Sequence, residues 1–338
     1  MNSLYPGDHR LETDHPGHPH DHTHGVVDPA LLTTARGMWA VKWSFLGLLA
    51  TAVFQLGIVW LSSSVALLAD TLHNFGDAAT AVPLWIAFTF ARKKPTDRFS
   101  YGFGRVEDLA GIVIVLAIFI SGLAIGYESI QRLLNPQPVD LLWAVVIASV
   151  VGFIGNEAVA RFRLKVGQEI GSAALIAEGH HARIDSLTSL GVLLGVLGAW
   201  FGLPWADPLV GLTITLVIFR VGVEVGKSVF ARLLDGVDPE VIDEIRHAAN
   251  HVEGVEDITE VRVRWIGHRL LAEVNVAVRS DLTVARGHEI ATEVRHELLH
   301  HLPYLSNATI HIDPASASGE VHHGISGHTH DELPLHSH

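Results

Sequence analysis

The chain has 338 residues, of which 49% are hydrophobic and 17% charged, and its mean hydropathy of +0.32 is high for a soluble protein. It contains no cysteine, which excludes disulfides, thiolate metal sites and cysteine nucleophiles. The formal net charge is −13 and comes without a basic patch, which argues against nucleic acid as a partner.

Residues 1–35 are rich in His, Pro and Asp, and six of the 23 His lie at positions 9–24. This start has no basic region followed by an apolar core, so it reads as a cytoplasmic tail and not as a signal peptide. Its clustered imidazoles suit weak, multi-site cation capture.

Residues 36–234 read as an α-helical membrane domain. Six apolar segments, near 39–62, 64–91, 106–132, 140–162, 173–201 and 207–230, reach the length of about 20 residues that a bilayer requires. Gly, Ser and Ala recur within them, as close helix packing needs. Orientation follows from Lys and Arg. Arg92, Lys93, Lys94, Arg98 and Arg105 follow the second segment. Arg161, Arg163 and Lys165 fall in the loop after the fourth, and Lys227 and Arg232 follow the sixth. Of the opposite loops, only the one beside Arg132 has a neighbouring cation, so both termini are expected in the cytoplasm.

Composition changes after Leu234. Residues 235–315 read as a small cytoplasmic α+β domain in the order helix, strand, strand, helix, strand. The helices are expected at 239–252 and 283–302, and the strands at 260–266, 270–278 and 308–314. A short turn at Gly267-His268 joins the first two strands. The stretch 231–320 is acidic, with 8 Lys+Arg against 16 Asp+Glu. Residues 316–338 form a second His-rich tail, with six His at 322–338.

Chemistry concentrates in two of the apolar segments. Asp70, His73 and Asp77 in the second are spaced three then four, and so are Glu178, His181 and Asp185 in the fifth. That spacing puts each trio on one helical face. An ionisable group in a membrane helix costs roughly 2.5–3.5 kcal/mol on insertion scales and faces the bundle interior. One His-x-x-x-Asp pair could serve packing alone, but the repeat on two helices favours a shared site. His73, Asp77, His181 and Asp185 would supply two nitrogen and two oxygen ligands, a set suited to a tetrahedral divalent metal such as zinc. Asp70 and Glu178 are secondary candidates around it. His180 lies off this face, and Arg183 needs a carboxylate that the sequence does not identify.

Two motifs lie in the C-terminal domain. His296-Glu297-Leu298-Leu299-His300 matches the H-E-x-x-H pattern of metalloproteases, but it falls on the polar face of an amphipathic helix whose Val294, Leu298 and Leu302 face a core. A solvated helix face accounts for it. His311 and Asp313 alternate on the last strand, and His288 on the preceding helix could join them in a secondary metal site.

The stretches LADTLHNFGDA, FSYGFGRVEDLAG, EGHHARIDSLTS and IHIDP resemble the cation diffusion facilitator family over roughly residues 36–315. The resemblance implies a homodimeric exporter in the plasma membrane, with six transmembrane helices and a cytoplasmic metallochaperone-like (ferredoxin-like) domain. It implies exchange of cytoplasmic divalent metal for protons, zinc above all, at a site type that cobalt, nickel and cadmium can share, with no resident cofactor and no enzyme activity. It carries the transport site over to His73, Asp77, His181 and Asp185, and it implies an ion pair between Arg105 and Asp235 where the two domains meet. Phe103 stands where some members have a loop His, and Thr259 and Asn275 stand at two strand positions used by others, so the loop site and the two-metal cluster are not expected. The residues alone leave two other classes open: a membrane-embedded metal-dependent enzyme centred on 296–300, and a metal sensor or store that moves nothing across.

Overall fold

The computed structural model describes residues 29–62, 81–135, 142–203, 205–302 and 304–319. Among them are the helices α1 (Pro29–Ser62), α2 (Ala81–Ala91), α3 (Arg105–Leu134), α4 (Leu142–Ile170), α5 (Ala173–Trp200) and α6 (Ala206–Leu233). Helices α1, α3, α4 and α6 are long and apolar enough to cross a membrane. Helix α5 has 28 residues, a spanning length, but Glu178, His180, His181, Arg183 and Asp185 in its first half lower its hydropathy. The expected second segment is described from Ala81 onward, as α2. Large apolar side chains such as Leu116, Ile120, Leu123 and Leu216 are exposed, as lipid-facing positions must be.

Two helices run further than their apolar stretches. Helix α1 begins about ten residues before the expected boundary, and α4 continues to Ile170 in place of ending near 162. The added turns support each other: Arg36 of α1 pairs with Glu169 of α4 at 3.3 Å and covers the ring of Trp39 at 4.5 Å. The consequence corrects one expectation. Arg163 is no loop residue; it lies inside α4 and is 1% exposed.

Helix α5 sits between two apolar groups. Ala174 and Leu175 pack with Ala40 and Val41 of α1, Leu84 and Phe88 of α2, and Val166 and Ile170 of α4. Ala173, Ala177 and Ile184 pack with Ile114 and Ile118 of α3 and with Ile218, Val225 and Val229 of α6. Close approach of α4 and α5 depends on Gly179, where an added Cβ would meet Leu164 Cγ at 2.8 Å and its backbone nitrogen at 3.0 Å. Overpacking of this kind costs about 1–3 kcal/mol. Gly179→Ala is therefore expected to lower the thermal stability of the detergent-solubilised protein. Gly226→Ala, whose Cβ would meet only Val115 at 3.5 Å, is expected to leave it unchanged or raise it. Equal melting temperatures for the two variants would refute the close approach.

The C-terminal domain follows in the expected order: α7 (Pro239–Asn250), β1 (Asp257–Ile266), β2 (Arg269–Val278), α8 (Val284–His301) and β3 (Leu305–Pro314), with a short 3-10 turn at Ala315–Ala317. Pro239 opens α7, where a missing N–H costs nothing, and Thr283 caps α8 by accepting from Arg286 N at 3.3 Å. The sheet order is β1-β2-β3, with β1 antiparallel and β3 parallel to β2. The parallel pair needs a crossover, which α8 supplies. Buried Leu270, Ala272, Val274 and Val276 alternate along β2 and pack with Ile245 and Ala249 of α7 and Ile290, Val294 and Leu298 of α8.

The β1–β2 turn carries this domain into the helical one. Gly267 turns at φ +62, a left-handed conformation open to glycine, and sets His268 beyond the strand end. His268 is buried: its Nδ1 lies 2.6 Å from Glu107 Oε2 of α3, and its Nε2 lies 3.0 Å from Thr34 Oγ1 of α1. Gly267 N donates to Asp108 Oδ2 at 3.3 Å. Glu107 also accepts from Ser172 Oγ, and Ser172 in turn accepts from Leu175 N at 3.1 Å, at the start of α5. Beside this, Arg232 of α6 stacks on Trp265 at 4.2 Å and donates to the carbonyl of Gly171.

Candidate metal transport site

Glu178, His181 and Asp185 occupy one face of α5, at 0%, 1% and 8% exposure. His181 Nε2 lies 4.0 Å from Asp185 Oδ2. An imidazole and a carboxylate one turn apart in a membrane helix form a two-donor pair aimed into the bundle. His73, Asp77 and the neighbouring Asp70 lie outside the described residues. Among the described residues no group of three or more His, Asp or Glu side chains converges on a common point.

Glu178 is engaged by Arg163 of α4, whose Nη1 donates to Glu178 Oε1 at 2.9 Å while its Nε donates to Ser44 Oγ of α1 at 2.9 Å. Arg163 thus ties α1, α4 and α5 together directly beside the pair. Arg183, the second cation of α5, finds its carboxylate in Glu157 of α4 at 3.4 Å. Glu157 also pairs with Arg161 at 2.7 Å. His180 is half-buried and off the shared face.

At the domain junction Arg105 forms an ion pair with Asp235 and donates to the carbonyls of Arg232 and Leu233, each at 3.2 Å. At the far end of the same two helices Arg132 of α3 meets Asp207 of α6 at 3.1 Å. The two clamps hold α3 and α6 as one unit.

In the C-terminal domain His311 Nε2 lies 3.0 Å from Asp313 Oδ1, while His288 is exposed on α8 and joins no metal-binding group with them. Thr259 Oγ1 donates across the strands to Asn275 O at 3.4 Å, and Asn275 Nδ2 donates to Glu260 Oε2 at 3.3 Å, so these positions serve the sheet. Phe103 packs on Phe99 at 4.9 Å between ring centroids, which makes the loop before α3 an aromatic contact. His296 and His300 stand exposed on α8, with Val294 and Leu298 buried opposite, as expected for a solvated face.

Sequence reasoning missed the junction formed by Glu107, His268, Ser172 and Thr34, and it missed the place of Arg163. Both depend on partners far apart in the chain. A signal was present in Glu107-Asp108 and Arg163 themselves, ionisable groups next to or within long apolar runs.

Residues 41–234 match the family model for the cation efflux transmembrane domain, and residues 237–315 match the one for the cation efflux protein cytoplasmic domain. A protein of Mycobacterium tuberculosis described as a probable cation efflux system protein is 50% identical, over 90% of this chain and 92% of its own length. The cadmium, cobalt and zinc/H(+)-K(+) antiporter of Bacillus subtilis is 31% identical, over 71% of this chain and 78% of its own. The manganese efflux system protein MneP of the same organism is 26% identical, over 81% and 95%. With the helical bundle, the paired His and Asp and the appended α+β domain, these matches establish that the chain belongs to the cation efflux (cation diffusion facilitator) family, integral membrane transporters of divalent cations and not enzymes.

Proposed function

We propose that the protein exports zinc from the cytoplasm in exchange for protons, as a homodimer in the plasma membrane with both termini inside. The observation that carries this reading is the buried His181–Asp185 pair on a membrane helix, 4.0 Å apart. His73 and Asp77, matched to this pair by their spacing in the sequence, would complete a four-donor set of two imidazoles and two carboxylates. Imidazole donors favour zinc over manganese, which prefers oxygen. The likeness to an antiporter named for cadmium, cobalt and zinc supports the same class of cargo. The cytoplasmic-domain match and the positive-inside pattern support the orientation.

Coupling to protons follows from the ligands. Imidazole and carboxylate must shed protons to bind metal, so metal and protons compete for one set of atoms. On the cytoplasmic side zinc displaces protons; on the opposite side protons displace zinc. An imidazole with an ordinary pKa near 6.5 is suited to both steps.

Everted membrane vesicles test this. Zinc is expected to accumulate inside them when the lumen is acid, and the accumulation is expected to collapse when a protonophore dissipates the gradient. Zinc bound without accumulation would instead identify a sensor or store. Cobalt, nickel and cadmium in competition would rank the cargo.

A further inference from the structure

Arg163 stands where a cation is expensive. It is 1% exposed in α4, with the buried acid Glu178 as its ion-pair partner. Its Nε is fixed by Ser44 of α1 and its Nη1 by Glu178 of α5, while Nη2 has no hydrogen-bond partner among the described residues. Glu178 lies one turn before His181, on the same face as His181 and Asp185. A carboxylate so placed would otherwise be a further oxygen donor for any cation held by the pair.

We propose that Arg163 is a specificity-determining residue, which occupies Glu178 and so keeps it from joining His181 and Asp185 as a further oxygen donor to the metal. The inference rests on the transport site proposed above. An ion pair with a fixed guanidinium withdraws Glu178 without discarding it, because a buried acid would otherwise need a proton or a metal. A donor set of mixed nitrogen and oxygen suits zinc, whereas an added carboxylate raises the coordination number and the oxygen share towards what manganese prefers. A lysine would keep the charge but not the fork that holds Ser44 and Glu178 together.

The test compares zinc and manganese uptake by the full chain in proteoliposomes. Groups that engage metal-site residues from outside typically alter metal affinity or activity about 10- to 100-fold. Arg163→Gln is expected to raise the manganese-to-zinc ratio by about tenfold or more on that scale. Adding Glu178→Gln is expected to return the ratio to that of the wild type, because the freed donor is gone. Should Arg163→Gln not accumulate in the membrane, Arg163→Lys takes its place, with a smaller rise expected. A ratio that stays at the wild-type value in Arg163→Gln, or in the lysine variant, would overturn the proposal and leave Arg163 a packing charge. So would a raised ratio that Glu178→Gln fails to reverse. Asp185→Ala run alongside separates the two levels: if it still transports zinc, the proposed site itself falls, whatever Arg163 does.

Discussion

Asp185→Ala is expected to lower zinc transport by at least about 100-fold, the scale of losing a ligand where even its outer partners are worth 10- to 100-fold. The same change is expected to leave the protein folded. Asp185 is a buried carboxylate in a membrane helix, a position that costs free energy. Two measurements separate these effects. Zinc should raise the melting temperature of the wild type, because a ligand at 100 times its Kd stabilises by about 2.7 kcal/mol. That rise should vanish in Asp185→Ala while the metal-free melting temperature holds. Asp77→Ala should behave alike. His180→Ala, half-buried and off the shared face, should transport normally. Full zinc efflux by either aspartate variant would sink the assignment of the site.

The second large effect concerns the junction. Glu107 and His268 are each about 1% exposed, and Glu107 also accepts from Ser172. Removing one member of such a buried pair typically costs about 3–5 kcal/mol, because the other is left without its partner. Glu107→Ala is therefore expected to melt well below the wild type and to expose the 235–238 connection to protease. His268→Ala should do the same. The double variant should be less damaged than the two losses summed, with a coupling of about 1–3 kcal/mol. Strict additivity would show that the two side chains do not act on each other. Transport should also fall in Glu107→Ala, since Ser172 holds the first turn of the helix that carries His181 and Asp185.

Much of this was legible in the sequence, for identifiable reasons. Apolar runs and strand alternation are local, so the helices and the order of the C-terminal domain could be read from spacing alone. Glu178, His181 and Asp185 were legible because three-then-four spacing fixes a shared face whatever the helix packs against. The extensions of α1 and α4 were not, because they mix polar residues such as Arg36 and Glu169 with apolar ones, and the partners of Thr34, Val166 and Ile170 lie on other elements. Arg163 was read as a loop charge because charge counting treats every arginine as wet, and its partner Glu178 lies on the next helix. The junction is less legible still. Glu107 and His268 are 161 positions apart, and nothing in GH at a hairpin tip says that the tip will be buried.

The seated hairpin tip also bears on how the chain can be taken apart. Two family models divide it near residue 235, and a genetic engineer would cut there. Such a cut would hand the membrane half a socket without its plug, and the soluble half a histidine and a backbone amide with no acid to meet them. Chimeras between relatives should succeed only when the acidic pair at 107–108, Thr34, Ser172 and the 266–269 tip travel together. For inheritance as for construction, the smallest exchangeable part of this transporter is larger than either of its domains.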